Sequence, residues 1–363
     1  MSALHLRGPL LVGPHEVADS AWVVDGRLSF SRPPTTVRDI RTIQGWVLPG
    51  LVDAHCHIGL GPHGAVDDAT SEAQARTDRD AGALLLRDAG SAADTRWIDY
   101  RDDLPVLIRA GRHIARSRRY IRNYAEEVEP DDLVAAVTRQ AARGDGWVKL
   151  VGDWIDRDTG DLGPCWPRAA LVAAIAAAHA AGARVTAHCF GEDGLSDLVA
   201  AGIDGIEHAT GLTSDTVNSV AERGVAVVPT LVNIATFPGI ADGAEQKFPR
   251  YAAHLRALHA RRYQTVREAY ESGVPIYAGT DAGGALAHGL VADEVLQLAW
   301  AGLPSLAALS AATWGARAWL GREGLVEGAQ ADLVVYPDDP RLDLSVLRAP
   351  SAVVLRGVVQ RSK

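Results

Sequence analysis

Leu48-Pro49-Gly50-Leu51-Val52-Asp53-Ala54-His55-Cys56-His57 is the stretch on which the reading of this chain turns. Its apolar run, interrupted early by Pro49-Gly50, predicts a buried strand over Val47 to His57. Side chains two apart on a strand point to the same side, so His55 and His57 share a face while Cys56 points away. Neutral imidazole is a common ligand for zinc and similar divalent metals, and a strand end holds such a pair with little freedom left to lose. A His-x-His pair alone is as compatible with a structural role as with a metal site, so the decision passes to what lies around it.

Upstream, short alternating runs such as Ala21-Trp22-Val23-Val24 and Thr36-Val37 are broken by Asp25-Gly26 and Pro33-Pro34, which is hairpin chemistry. Downstream, strands are predicted near Leu84 to Asp88, Pro105 to Ala110, Val148 to Val151, Val185 to Cys189, Gly205 to His208, Ala226 to Thr230 and Ile276 to Asp281. Helical stretches lie between them, clearest at Pro130 to Arg143 and Arg168 to Ala181, and Gly182, Gly202, Gly224 and Gly273 each stand just before an apolar run. With the opening strand this makes eight strand and helix units, the arithmetic of an α/β chain folded as a TIM-like (β/α)8 barrel over residues 46–319. Two late β-like runs, Ala331 to Tyr336 and Ala352 to Leu355, would join the N-terminal hairpins in a small β-sandwich domain built from residues 1–45 and 320–363.

The 363 residues carry a formal net charge of −9, so no basic field favours nucleic acid, and a small-molecule substrate is the expected partner. Three cysteines, Cys56, Cys165 and Cys189, show no CxxC spacing and argue against a disulfide framework. No signal segment is evident, and no apolar run reaches the roughly 18 residues of a membrane span. A cytoplasmic location without membrane contact is therefore expected, with self-association into a homo-oligomer left open.

Barrel enzymes place their chemistry at the C-terminal ends of the strands. In this chain those ends carry Asp88, Lys149, His188, His208 and Asp281 beside His55 and His57. Each interrupts a run that would otherwise have continued as core, as in Trp147-Val148-Lys149-Leu150-Val151. Four histidines, a lysine and an aspartate at five strand ends form a metal-site pattern. Lys149 needs a separate reason, since an ammonium has no lone pair. Partial desolvation favours the neutral amine, which can take up carbon dioxide as an anionic two-oxygen carbamate. The plainer alternative is a lysine ion-paired with Asp88 or Asp153.

The ordered set His55-x-His57, Lys149, His188, His208, Asp281 resembles the amidohydrolase superfamily, in the branch with a binuclear centre bridged by carboxylated lysine. Pro49 to His57 is similar to its opening signature, Arg87-Asp88-Ala89-Gly90 to its second-strand end, Ala278 to Ala282 to its eighth-strand end, and Gly328 to Val335 to its closing segment. Glu207-His208 and Ala301-Gly302-Leu303-Pro304 resemble the prolidase-like and imidazolonepropionase-like group. The resemblance implies two divalent ions, best suited by Zn2+. His55, His57 and Asp281 would hold one and His188 and His208 the other, with the Lys149 carbamate, formed with carbon dioxide, and a hydroxide bridging them. It further implies hydrolysis of an amide bond, in a dipeptide or N-acyl amino acid, with Asp281 as general acid and base and Asp88 behind the ligands. A cyclic amide or lactone hydrolase, or a deaminase, is the alternative within the superfamily.

Recognition is less legible. Where prolidase-like members often read Thr-Gly-Gly-His after the third strand, this chain has Ser117-Arg118-Arg119-Tyr120. Arg118 and Arg119, in a loop crowded with arginine, are candidates to bind a substrate carboxylate through guanidinium, together with Tyr120 and with His288 after the eighth strand. Residues 232–262 form a long connection with Phe237-Pro238-Gly239 and Phe248-Pro249 as breakers, a candidate lid.

Overall fold

The structure, a computed structural model, describes residues 2–34 and 39–362. Thr36-Val37 lies outside the described residues.

Gly50 divides the expected opening strand in two. Trp46–Pro49 belongs to a sheet built from both ends of the chain, whereas Leu51–Cys56 belongs to the parallel sheets that carry the histidines. A side chain at 50 would collide with Leu84, whose Cβ lies 2.6 Å from where a Cβ would sit, so only glycine lets the chain step from one sheet to the other there.

The terminal sheet has eight strands, ordered Val358–Ser362, Ala352–Leu355, Leu333–Tyr336, Trp46–Pro49, Ser2–Leu11, Val17–Val24 and Arg27–Ser29, with Asp39–Gln44 also pairing Ser2–Leu11. The expected β-sandwich is therefore a single continuous sheet, and Trp46–Pro49, assigned by its sequence to the barrel, lies inside it. Leu6, Leu10, Val23, Leu28, Val335 and Val354 give it an apolar core of its own.

The parallel strands form two arcs. Val106–Arg109, Ala83–Asp88 and Leu51–Cys56 make one, and Glu126–Val128, Ile114–Arg116, Trp147–Val151, Arg184–Cys189, Gly205–His208 and Ala226–Val228 the other. Residues 276–282 join them on one side, through parallel bridges from Ile276 to Val227 and from Ala282 to Cys56. The expected eighth strand is thus present as isolated bridges. On the other side Val106–Arg109 and Trp147–Val151 do not pair as strands; Asp145 N donates to Arg109 O at 2.7 Å.

Helices cover the outer side. Asp68–Asp80 starts where the Asp67 carboxylate accepts from Thr70 N at 2.8 Å, and Arg168–Ala180 buries Leu171, Ala174, Ile175 and Ala178, the apolar stripe of a 3.6-residue period. Gly182, at φ 77°, ends the latter in a conformation other residues resist. The three cysteines are buried and unbonded. The long connection named as a candidate lid is helical: Leu231–Ile234, Phe237–Ala244 and the 23-residue Pro249–Glu271, with Pro238 and Pro249 in first turns where the missing N–H costs nothing. Among the described residues no helix is long and apolar enough to cross a membrane.

Candidate metal centre

Asp53, His55 and His57 alternate with core residues along one strand, and each is fixed by a different neighbour. The buried Asp53 carboxylate accepts from Thr280 N (3.0 Å), Thr280 Oγ1 (2.6 Å) and His55 N (3.1 Å), clamping this strand to residues 276–282. Burial, with Asp78 nearby, pushes its carboxyl up to about 7. His57 Nδ1 donates to Gly90 O at 2.7 Å, and Asp88 Oδ1 accepts from Gly90 N at 2.8 Å. Asp88 braces the turn whose carbonyl orients His57.

His55 Nδ1 donates to Glu207 Oε2 at 2.7 Å. The other Glu207 oxygen accepts from Arg87 Nη2 at 2.6 Å and from the Thr186 hydroxyl. Burial raises the Glu207 carboxyl, but Arg87, His55 and Lys149 together outweigh it and hold the group well below the ordinary range. Arg87 in turn lies over the rings of Trp147 (4.7 Å) and Trp319 (5.0 Å).

These bonds decide which atoms face the centre. With each Nδ1 donating, the neutral imidazoles of His55 and His57 present Nε2 lone pairs. The two Nε2 atoms lie 3.2 Å apart, and each is 2.9 Å from Asp281 Oδ1. Three electron-rich atoms converge with no proton to share, an arrangement that repels itself unless a cation sits among them. His208 extends the group: donor atoms of His55, His208 and Asp281 lie within 4.8 Å of one another. Its Nδ1 is 2.7 Å from Thr230 Oγ1, which sets the ring.

His188 packs edge-on against His208, ring centroids 4.7 Å apart, and its buried Nε2 has no partner, Asp153 Oδ1 standing 3.6 Å away. Burial lowers His188 well below its usual pKa and His208 to about 3, so both rings are neutral and able to ligate. Lys149 is buried, and among the described residues its amine makes no hydrogen bond or ion pair, with Asp88 and Asp153 or any other group. Burial draws the ammonium down to about 8 against the pull of Glu207 and Asp281. The donor set fits divalent metals.

His208, Thr230 and Asp281 all have left-handed backbones, at φ 67°, 49° and 61°. Such conformations in non-glycine residues cost about 1–3 kcal/mol and cluster at functional sites. In this chain they turn three strand-end side chains inwards regardless of strand alternation. Gly279 allows the close packing behind them, since a Cβ there would lie 2.7 Å from His55 N.

Above the centre opens a cavity of about 810 Å³, lined by His57, His188 and Asp281 at its base and by residues of 231–248 overhead. Tyr120 lines it as expected, edge-on to Trp154 and His188. The other three expected recognition residues are placed differently. Arg119 is spent on structure: its guanidinium donates to Trp154 O (3.0 Å) and Gly163 O (2.8 Å) and pairs with Asp156 (3.1 Å). Arg118 is exposed and does not line the cavity. His288 turns away to Asp78, Nδ1 to Oδ2 2.8 Å, because that buried carboxylate needs a partner.

Sequence reasoning gave no role to two groups, Glu207 and Asn233, and read a third, His113, only as part of the arginine-rich loop. Glu207 stood in a quoted motif. His113 lies stacked on His57 at 4.9 Å between centroids, lining the cavity. Asn233 Nδ2 donates to Asp281 Oδ2 at 2.7 Å from a segment far away in the chain, with no local signature.

Comparison with known proteins agrees with this geometry. Residues 158–360 match the Amidohydrolase family. An uncharacterized protein of Mycobacterium tuberculosis is 57% identical over 355 residues, 98% of this chain and 95% of that protein. Ochratoxinase of Aspergillus niger is 29% identical over 180 residues, 47% of this chain and 35% of that protein, and its crystal structure superposes with a TM-score of 0.80 at 20% identity, covering 99% and 95% of the two chains. A Xaa-Pro dipeptidase with bound methionine in the active site has a TM-score of 0.82 at 23% identity, covering 99% of this chain and 100% of that one. From the family match, the near full-length relative and the shared fold, the chain belongs to the amidohydrolase family.

Proposed function

We propose that this protein is a metal-dependent hydrolase of an amide bond, in a dipeptide or N-acyl amino acid, working on a (β/α)8 barrel whose eighth position is residues 276–281. The observation that carries the reading is the convergence of the His55 and His57 Nε2 lone pairs on Asp281 Oδ1. The named activities of the relatives, a Xaa-Pro dipeptidase and an ochratoxinase, support the same bond type. His55, His57 and Asp281 would hold one divalent ion and His188 and His208 a second, most simply zinc, with Lys149 as its carbamate between them. When bound, the ions would acidify water and polarise the scissile carbonyl.

The chain's own groups do the rest. The Asp281 carboxylate, fixed by Asn233 at Oδ2, takes the proton of the attacking water and returns it to the departing amine, a role worth about 10²- to 10⁴-fold. Glu207 and Gly90 hold the His55 and His57 rings in the tautomer that leaves Nε2 free. The aromatic walls exclude bulk water, which strengthens each electrostatic contact inside.

The test is metal analysis of fully loaded protein beside a hydrolysis screen of dipeptides, N-acyl amino acids, lactones and cyclic imides. About two divalent ions per chain are expected, with activity lost on chelation. Lys149→Ala and Lys149→Arg should both lose metal and about 10³-fold or more in activity, since arginine cannot form a carbamate, and acetate should restore part of both in the alanine variant. An active, fully metallated Lys149→Arg protein would falsify the bridging role.

A further inference from the structure

The cavity over the metal centre is large and nearly neutral. At about 810 Å³ it lies in the upper part of the range of roughly 300–1,000 Å³ typical of small-molecule sites. Leu60, Ile121, Trp154, Phe190 and Ile240 give it mostly apolar walls. Among the described lining residues Asp281 is the one carboxylate, and its oxygens are committed to His55, His57 and Asn233. A substrate ammonium brought into this space would be stripped of water with no free counter-charge to meet it.

The opposite charge is provided for. Lys247 is the one lysine or arginine among the described lining residues, exposed in the turn between Phe237–Ala244 and Pro249–Glu271, with Nζ 5.2 Å from the Phe248 ring centroid. The acids nearest it in sequence, Asp242 and Glu245, are both held by Arg256. Lys247 makes no ion pair among the described residues, so it is available to an anion, which Arg119 is not.

Resting on the amide-hydrolase reading, we propose that the substrate is an N-acyl amino acid with a bulky, uncharged, apolar acyl group, that Lys247 meets its carboxylate, and that free dipeptides are rejected for their ammonium. The acyl C–N bond breaks, the water oxygen adds to the acyl carbon and its proton goes to nitrogen, releasing an apolar carboxylic acid and an amino acid.

Three matched compounds test this on the metal-loaded enzyme: N-phenylacetyl-L-phenylalanine, its C-terminal amide, and L-phenylglycyl-L-phenylalanine, which adds only an ammonium. Hydrolysis is measured alongside calorimetric binding of their ketomethylene analogues. The acid should be favoured about 10-fold over the amide and about 100-fold over the dipeptide in both assays. Lys247→Ala should remove most of the preference for acid over amide, and Lys247→Arg should restore it. A dipeptide handled as well as the acid, an acid preference untouched in Lys247→Ala, or no binding by any analogue would overturn the inference. Analogues that bind in the stated order to an enzyme that cleaves none of the three would instead sink the hydrolase reading and leave the recognition in place.

Discussion

On the floor of the cavity hydrogen bonds fix the rings of three histidines: His55 by Glu207, itself held by Arg87 and Thr186, His57 by Gly90, and His208 by Thr230. The roof, residues 231–248, is organised differently. It faces the cavity with Ile240, Gly239, Gly243, Ala244 and Phe248, and among the described residues a single side-chain hydrogen bond, Asn233 to Asp281, ties it to the candidate ligands below. The floor spends its bonds on orientation, which chemistry demands to within fractions of an ångström. The roof offers area and shape, which set what can enter. Mutations in the two should therefore fail differently, the floor losing fold and metal, the roof losing rate or selectivity.

The largest difference is expected at Glu207. Glu207→Gln leaves Arg87 buried without its counter-charge, and breaking a buried pair from one side costs about 3–5 kcal/mol. Urea unfolding should show that loss together with weaker metal binding. Wild-type stability in this variant would mean that the floor is not held by the Arg87–Glu207–His55 chain. Next comes the contact between the two layers. Asn233→Ala should lower kcat about tenfold, the scale of one lost hydrogen bond to a charged group, while metal content and Tm stay as in the wild type. A large drop in Tm would place Asn233 with the floor instead.

The smallest effect concerns the roof's outer support. His254, on the long helix Pro249–Glu271, lies 2.9 Å from both Glu192 Oε2 and Asp161 Oδ1. The Glu192 bond, then that of Asp161, raises its pKa to about 9 against the opposing effect of burial. A pKa raised on folding stabilises fully below the unfolded value of about 6.5 and is lost as pH climbs through 9. Wild-type stability should accordingly decline by about 1 kcal/mol between pH 6.5 and 9.5 relative to His254→Gln, the figure being reduced for solvent screening at a partly exposed site. Parallel pH profiles for the two proteins would remove His254 from the account.

How far the sequence carried follows the same division. His55, His57, Lys149, His188, His208 and Asp281 stood out because each ends an apolar run, a signal local to a few residues. The arginine loop misled because charge density was read as charge on offer; Arg119 instead satisfies the Trp154 and Gly163 carbonyls, and Arg112 those of Tyr124 and Asn123, along irregular backbone. Glu207 was obscured by strand alternation, which would turn it away from the face shared with His208. The left-handed φ of His208 breaks that rule, so both neighbours serve the centre. Asn233 and Thr230 depend on pairings across the fold that no window of sequence contains. The terminal sheet was legible as β-structure from both ends, but its inclusion of Trp46–Pro49 turned on the step at Gly50.

That step links chemistry to the order of synthesis. Trp46–Pro49, immediately before the strand of His55 and His57, is paired to the N-terminal strand through Leu10 and Val47 alone, and gains its full partner only from Leu333–Tyr336. Behind that partner come Ala352–Leu355 and Val358–Ser362, the last strands of the chain. A nascent polypeptide can expose all six candidate ligand residues, the last of them Asp281, before the segment that anchors the first of them has left the ribosome. Contacts of such sequence separation are slow to form. A chain cut before Leu333 would carry the six candidate ligand residues with the strand of His55 and His57 unanchored, so assembly of the candidate centre waits on a segment that follows all of them.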